Sequence, residues 1–296
     1  MPTNPTRRSS LLSRLSRREM LGELAVAAAT APVLSAAAGE GDAPSGGGRI
    51  RQSVCKWCYG SMPVEDLARN AASMGFRSVE LVEPKDWPIL VRHGLVCAMT
   101  FSHGIPKGIN DRGNHAECLT QIRDAIEKTS EAGYPNVICF SGNRGGIPDD
   151  AGIENCVAAA KEVAGLAERK KVTICMELLN SKVDHKDYHA DRTWFGVEVV
   201  KRVGSERFKL LYDIYHMQIM EGDVIRTIRD FHPFIAHYHT GGNPGRNEID
   251  ETQELNYSAI MRAIAETGYT GYVGQEFIPK MDPMTSLRRA FGICDV

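Results

Sequence analysis

The chain carries no surplus of either charge. Its 35 Lys and Arg stand against 37 Asp and Glu in 296 residues, so no basic field is available to hold a nucleic-acid backbone, and no long run of like charge suggests an interaction tail. No stretch in the body of the protein is long and apolar enough to span a bilayer. No G-x-G-x-x-G opens the first strand–helix unit, which argues against an open doubly wound nucleotide-binding sheet. The glycines of Ser141–Gly146 lack a Walker-type Lys, so they offer a tight turn or a close backbone approach and little phosphate signal. Eight cysteines are present, yet Cys55-Lys56-Trp57-Cys58 is a lone C-x-x-C with no second pair to complete a zinc site. Cys97, Cys139 and Cys175 lie inside apolar strand-like runs and read as core thiols.

The N-terminal forty residues differ in composition. Arg7-Arg8, Arg14 and Arg17-Arg18 form a basic region, Leu21–Ala38 is Ala-rich and mildly apolar, and Ser35–Ala38 offers a small-residue cleavage site. Residues 1–38 therefore read as a secretory signal, and S-R-R-E-M-L at Ser16–Leu21 resembles a twin-arginine export motif. Met20 and Gly22 depart from its commonest form. The competing readings are a transit peptide or a basic tail. Residues 39–48 are a Gly/Ala/Ser linker, and the mature domain is 49–296. Export of a folded protein, to the periplasm, is compatible with reduced cysteines and a metal loaded beforehand; a cytoplasmic location follows if the segment is no signal.

From Arg49 onward strand-like and helix-like segments alternate. The strands are expected at Ile50–Val54, Ser78–Val82, Leu95–Phe101, Val137–Ser141, Val172–Leu179, Lys209–Asp213, Ile235–Thr240 and Tyr272–Phe277. Helices are expected at Pro63–Met74, Trp87–His93, Asn114–Ala132, Asp149–Arg169, Trp194–Val203, Asp223–Asp230 and Tyr257–Thr267. Eight such units in about 250 residues match the usual size of a (β/α)8 TIM barrel, an α/β fold with its active site at the C-terminal ends of the strands.

At those ends the chemistry is concentrated. V-T-I-C-M-E-L-L-N carries Glu177, F-K-L-L-Y-D ends in Asp213, F-I-A-H-Y-H-T-G carries His239, and G-Y-V-G-Q-E-F carries Glu276. Each lies at the same end of one of strands five to eight, so the four converge on one side of the mouth. A carboxylate in a buried strand is costly unless a cation or a hydrogen-bond network compensates it. Three carboxylates and one imidazole, with no thiolate, favour Mg²⁺ or Mn²⁺, with Co²⁺ as a further candidate. The structural alternative is a set of rim salt bridges. His103 follows the third strand and would face the same mouth as a substrate contact or as a satisfied rim histidine. His237 shares a strand face with His239 and is expected behind it. His185, His189 and Asp191 read as solvated loop residues, and Trp57 and Phe101 as core or pocket wall.

The second half resembles the hydroxypyruvate isomerases, within the xylose isomerase-like TIM barrels that include sugar isomerases and ketose 3-epimerases. The resemblance is carried by M-E-L-L-N at Met176–Asn180, Y-D-I-Y-H-M-Q at Tyr212–Gln218, H-Y-H-T-G at His237–Gly241, G-R-N-E at Gly245–Glu248, E-L-N-Y at Glu254–Tyr257 and G-Y-T-G-Y-V-G-Q-E-F at Gly268–Phe277. It implies that Glu177 and Glu276 are both metal ligands and the acid/base pair, that Asp213 and His239 complete the metal shell, and that His216 and Arg246 contact substrate. The implied reaction moves a proton between the carbons of an α-hydroxy carbonyl compound, with hydroxypyruvate to 2-hydroxy-3-oxopropanoate as the leading case. Two features depart from the isomerases: His239 stands where many carry Gln, as the epimerase branch commonly has His, and Glu276 is not followed at once by a basic residue. A sugar 3-epimerase, a sugar-modifying lyase or an exported sugar-binding barrel are the alternatives, and an endonuclease lacks the basic groove it would need. The expected partner is a small hydroxy-oxo acid or sugar; homo-oligomers are compatible with the sequence.

Overall fold

A computed structural model describes residues 48–296; the expected signal segment and nearly all of the linker lie outside the described residues. The chain begins at β1 (Arg51–Cys55) and passes through α1 (Val64–Met74), β2 (Ser78–Glu80), α2 (Trp87–Arg92), α3 (His115–Glu131), β3 (Asn136–Cys139) and α4 (Asp149–Lys170). It continues through β4 (Thr173–Leu178), α5 (Thr193–Val203), β5 (Phe208–Asp213), α6 (Ile214–Met220), α7 (Val224–Phe231), β6 (Ile235–Thr240), α8 (Tyr257–Glu266), β7 (Tyr272–Gln275) and α9 (Pro283–Cys294). The seven strands are all parallel, in the order β2-β1-β7-β6-β5-β4-β3.

The expected third strand, Leu95–Phe101, is the one departure from eight regular strands. It lies between the two sheet edges and touches each by a single parallel bridge, Ser78 to Val96 and Thr100 to Val137. The physical reason is local. The Ala98 N–H donates to Ser78 Oγ at 2.8 Å, and the Ala98 carbonyl accepts from Asn136 Nδ2 at 2.8 Å. Side chains thus satisfy the groups that a ladder would otherwise pair. The segment still closes the sheet into a TIM-barrel-like ring.

Helix ends follow from sequence chemistry. Pro63 precedes α1, and Gly75 ends it at φ 101°, a left-handed conformation that glycine adopts without strain. Two helices were not expected from the pattern. α6 starts because the Asp213 side chain accepts the His216 N–H at 3.1 Å. α9 starts on Asp282, which accepts the Thr285 N–H at 2.9 Å, with Pro283 in its first turn. The main apolar core packs α3, α4, α5 and α8 against β3 to β7, and a smaller one joins α1 and α2 to β2 and α9.

Register positions the site. Asp213 lies opposite His239, and His239 opposite Gly274. A bulge between Leu210 and Leu211 sets the first of these pairings. Along each strand the alternate residues Cys175 and Glu177, Leu211 and Asp213, and His237 and His239 share a face, so the top of the barrel interior is polar.

Candidate active site

Glu177, Asp213, His239 and Glu276 are all buried, and one ligand atom from each lies within 4.8 Å of the others. β4, β5 and β6 deliver the first three, and Glu276 follows directly after β7. His239 is the hinge of the cluster. Its Nε2 lies 2.7 Å from Glu80 Oε1, while Nδ1 faces Glu276 Oε2 at 2.7 Å and Glu177 Oε1 at 3.4 Å. Nδ1 is buried and has no well-aligned hydrogen-bond partner. Burial lowers the pKa of the imidazole, but Glu276, Cys55 and Glu177 outweigh it and raise that pKa well above its ordinary value. A buried imidazole nitrogen aimed at two carboxylates gathers donors that a divalent cation would hold together in place of a proton. The residues present therefore fit a metal ion held by Glu177, Asp213, His239 and Glu276.

Behind this set lies a carboxylate that the sequence reading did not single out. Glu80, at the end of β2, is fully buried, and its Oε1 faces His239 Nε2, His237 Nε2 at 3.1 Å and Cys55 Sγ at 3.2 Å. Burial alone would raise its pKa, but His237 and His239 more than reverse this and hold it well below the usual carboxylate range. Glu80 thus keeps a proton-bearing Nε2 on His239 and leaves Nδ1 toward the carboxylates. His237 stands behind His239 as expected, with ring centroids 5.1 Å apart. The sequence signal for Glu80 was a carboxylate inside the strand-like run Ser78–Val82, which the structure shortens to Ser78–Glu80.

The two glutamates of the mouth are pushed apart in acidity. Burial, with Glu276 and Asp213 nearby, pushes Glu177 up to about 7 against the pull of His239. Glu276 is equally buried, yet His239, Arg246 and the bond from Trp57 carry it well below its ordinary value. Trp57 Nε1 donates to Glu276 Oε1 at 2.6 Å, a contact that pattern reasoning had placed no closer than the pocket wall.

Arg246 reaches into the same cluster from the loop after β6. Its Nη2 donates to Asp213 Oδ2 at 2.7 Å and to Glu276 Oε2, and its Nη1 lies 2.6 Å from His216 Nε2. The rings of Tyr215 and Trp57 lie beside it, with centroids 4.9 and 5.7 Å from the guanidinium carbon. His216 is held on its other nitrogen by Asn180 Nδ2 at 2.6 Å. Burial, reinforced by Arg246 and opposed by Asp213, keeps its pKa well below the ordinary range, so it stands neutral.

His103 is not brought to this cluster. Its Nδ1 faces the carbonyls of Gly104 and Lys107, its Nε2 accepts the Phe140 N–H at 3.3 Å, and it borders a separate small cleft beside Lys107 and Glu117. Both ring nitrogens face backbone groups, the arrangement of a satisfied rim histidine, the second of its two expected readings. His189 is likewise no solvated loop residue: it is buried between Asn110 and Asp149. His185 lies edge-on to His216 at 5.3 Å and lines the main cavity. All eight cysteines are free and buried, so the C-x-x-C forms no disulfide.

A parallel α/β barrel with a carboxylate–histidine ligand set at its C-terminal mouth defines a TIM-barrel enzyme with a candidate metal centre. A family model described as a xylose isomerase-like TIM barrel matches residues 68–291, and the chain belongs to that family. It is 27% identical to the hydroxypyruvate isomerase of Escherichia coli K12, over 75% of this chain and 91% of the relative. It is 29% identical to a 2-oxo-tetronate isomerase of Haemophilus influenzae, over 77% and 93%. The solved structure of an AP endonuclease, family 2, from Brucella melitensis superimposes with a TM-score of 0.74 at 24% identity, over 80% of this chain and 97% of that one, a likeness of fold. With relatives of this kind along most of its length, the chain is an isomerase-type enzyme.

Proposed function

We propose that the protein is a divalent-metal-dependent isomerase of α-hydroxy carbonyl compounds, acting through an enediolate. The observation that carries this is the convergence of two buried carboxylates, Glu177 and Glu276, with Asp213 and His239, one ligand atom of each lying within 4.8 Å of the others. Two carboxylates at one mouth suit proton removal from one carbon and its return to the next. With both carboxylates ionised around the ion, one of them, either Glu177 or the Glu276 held by Trp57, takes the carbon-bound proton and returns that same proton, or one exchanged with solvent, to the neighbouring carbon. A divalent ion, Mg²⁺ or Mn²⁺ from the oxygen-rich donor set, would supply Lewis-acid stabilisation of the negative charge that develops on the substrate oxygens. His216 and Arg246 hold a substrate oxygen or carboxylate at the same mouth.

The leading substrate of this class is hydroxypyruvate, giving 2-hydroxy-3-oxopropanoate. Epimerisation of a ketose at C3 is the second reading, favoured by His239 where many hydroxypyruvate isomerases carry Gln. The test is solvent exchange. The metal-loaded protein is incubated in deuterated water with hydroxypyruvate and with a panel of ketoses, and products are followed by NMR. Deuterium entering a product, lost on chelation and in Glu177→Gln and Glu276→Gln, is the expected result. Exchange confined to C3 of a ketose selects the second reading, and no exchange on any hydroxy-carbonyl overturns both. We also propose that the folded domain is exported through the twin-arginine pathway, which replacing Arg17-Arg18 by Lys-Lys would abolish in a fractionated cell.

A further inference from the structure

The cavity that contains Glu177 and Glu276 has a volume of about 760 Å³. Pockets of roughly 300–1,000 Å³ enclose drug-sized ligands, so a three-carbon acid would leave most of this one unfilled. The excess space is directional. From the glutamates the cavity runs past Trp57 and Phe101, along the irregular third strand, and between α2 and α3 as far as Lys128. The six-residue α2 and the bridged rather than laddered third strand leave this trough in the wall of the barrel.

The walls are apolar. Val82, Trp87, Phe101, Ile105, Ile138 and Phe140 line the trough. Phe101 is 53% exposed although its ring lies only 6.4 Å from that of Phe140. Trp87 spends its only polar atom on the Val82 carbonyl, at 2.9 Å, and so offers the trough carbon alone. The charges are few and do not invite an anion. Lys128 is paired with Asp124 at 2.6 Å, and Glu83 adds a further carboxylate. An anionic substituent would meet these acids, and a hydrated one would displace little unfavourable water.

We propose that the trough is a subsite for the substrate's non-reacting end, and that this end is an uncharged, apolar group such as an aryl or alkyl arm attached to a hydroxy-ketone or keto-sugar head. The inference rests on the reading of Glu177 and Glu276 as the reacting end. It makes Phe101 and Ile105 specificity-determining residues, outside the set that handles protons or metal. Trp57 joins the two ends: its Nε1 anchors Glu276 while its ring, 46% exposed, borders the cavity.

Paired probes with the same head test it. Binding of 1-hydroxybutan-2-one and of 1-hydroxy-4-phenylbutan-2-one to the Mn²⁺-loaded protein is measured by calorimetry, and C1 proton exchange in deuterated water is followed on both. The phenyl compound is expected to bind at least tenfold more tightly. Phe101→Asp and Ile105→Asp should abolish that preference while leaving affinity and exchange for the short ketone unchanged. Equal affinity for the two ketones overturns the proposal, as does a phenyl preference that survives both substitutions. Absence of exchange on either ketone, with the phenyl preference present and lost in the variants, removes the assigned reaction and leaves the arm subsite standing.

Discussion

Gly274 gives the most demanding test of how the metal-ligand set is built. It lies opposite His239 on β7, and a Cβ there would overlap Glu80 Oε1 and stand 2.8 Å from His239 Cδ2. Gly274→Ala therefore adds one methyl group, removes no polar atom, and forces apart the Glu80–His239 pair. Neither partner has room to yield, since both are fully buried and Glu80 also faces His237 and Cys55. Overpacking of a tight interior costs about 1–3 kcal/mol. Losing the carboxylate that orients a ligating histidine weakens metal binding by about 10–100-fold, equivalent to about 1.4–2.8 kcal/mol. The assay is calorimetric titration of chelator-stripped protein with Mn²⁺, alongside thermal unfolding without metal. Gly274→Ala is expected to lower Mn²⁺ affinity by at least tenfold. Glu80→Gln should do the same by the chemical route, because the amide keeps the shape and loses the charge that favours a proton on Nε2. Gly165→Ala, in α4, is the control: its added Cβ would meet only Arg169 Nη1, at 3.5 Å, so stability rises by about 0.4–1 kcal/mol and affinity stays put. If Gly274→Ala and Glu80→Gln both bind Mn²⁺ within twofold of the parent, the role assigned to Glu80 is wrong.

Arg246→Met removes a cation from between Asp213 and Glu276; breaking such a buried pair costs about 3–5 kcal/mol. The metal-free midpoint should fall by several degrees, added Mn²⁺ should recover most of the loss, and KM for an anionic substrate should rise; a variant as stable as the parent without metal refutes the pairing. The raised pKa of Glu177, about 7, has a definite sign. An acid whose folded pKa lies above its unfolded value contributes stability that is fully present below the unfolded pKa and lost as pH rises through the folded one, at up to about 1.4 kcal/mol per pH unit. The metal-free domain should therefore lose stability on this account as pH rises from the ordinary carboxylate range to 7. A divalent ion needs the ionised form, so the Mn²⁺-induced rise in midpoint should grow between pH 5 and 8 and flatten in Glu177→Gln. A metal-induced shift independent of pH in the parent would count against Glu177 as a ligand.

How much of the fold could be read from the sequence follows from which signals are local. Seven of the eight strands and the helices they alternate with were legible because buried parallel strands are short apolar runs and amphipathic helices repeat at 3.6 residues. The third strand carries the same apolar run. Its loss of a ladder depends on Ser78 and Asn136, neighbours in space that lie 20 and 38 residues from Ala98 in the chain. No window around Leu95–Phe101 contains them. The start of α6 was hidden for another reason. Asp213 is at once the last residue of a strand, the cap of a helix and a member of the ligand set, and the strand pattern masked the cap.

The site divides along the same line. Glu177, Asp213, His239 and Glu276 were legible because strand-end position is a one-dimensional property and four strands repeat it. His103 met the same criterion, yet its nitrogens are consumed by Gly104, Lys107 and Phe140. A strand end brings a side chain to the mouth, and only the loop that follows decides whether it is free to face substrate. Glu80 fails in the opposite sense. It also ends a strand, but β2 stands across the ring from β4 and β5, next to β1, and its carboxylate points inward beneath His239 instead of joining the group above. A carboxylate at a strand end thus reaches the barrel interior, while the strand's place in the ring decides its layer and its partner. In this chain the partner is the imidazole whose other nitrogen faces Glu177 and Glu276, so a residue outside the candidate ligand set orients the imidazole within it.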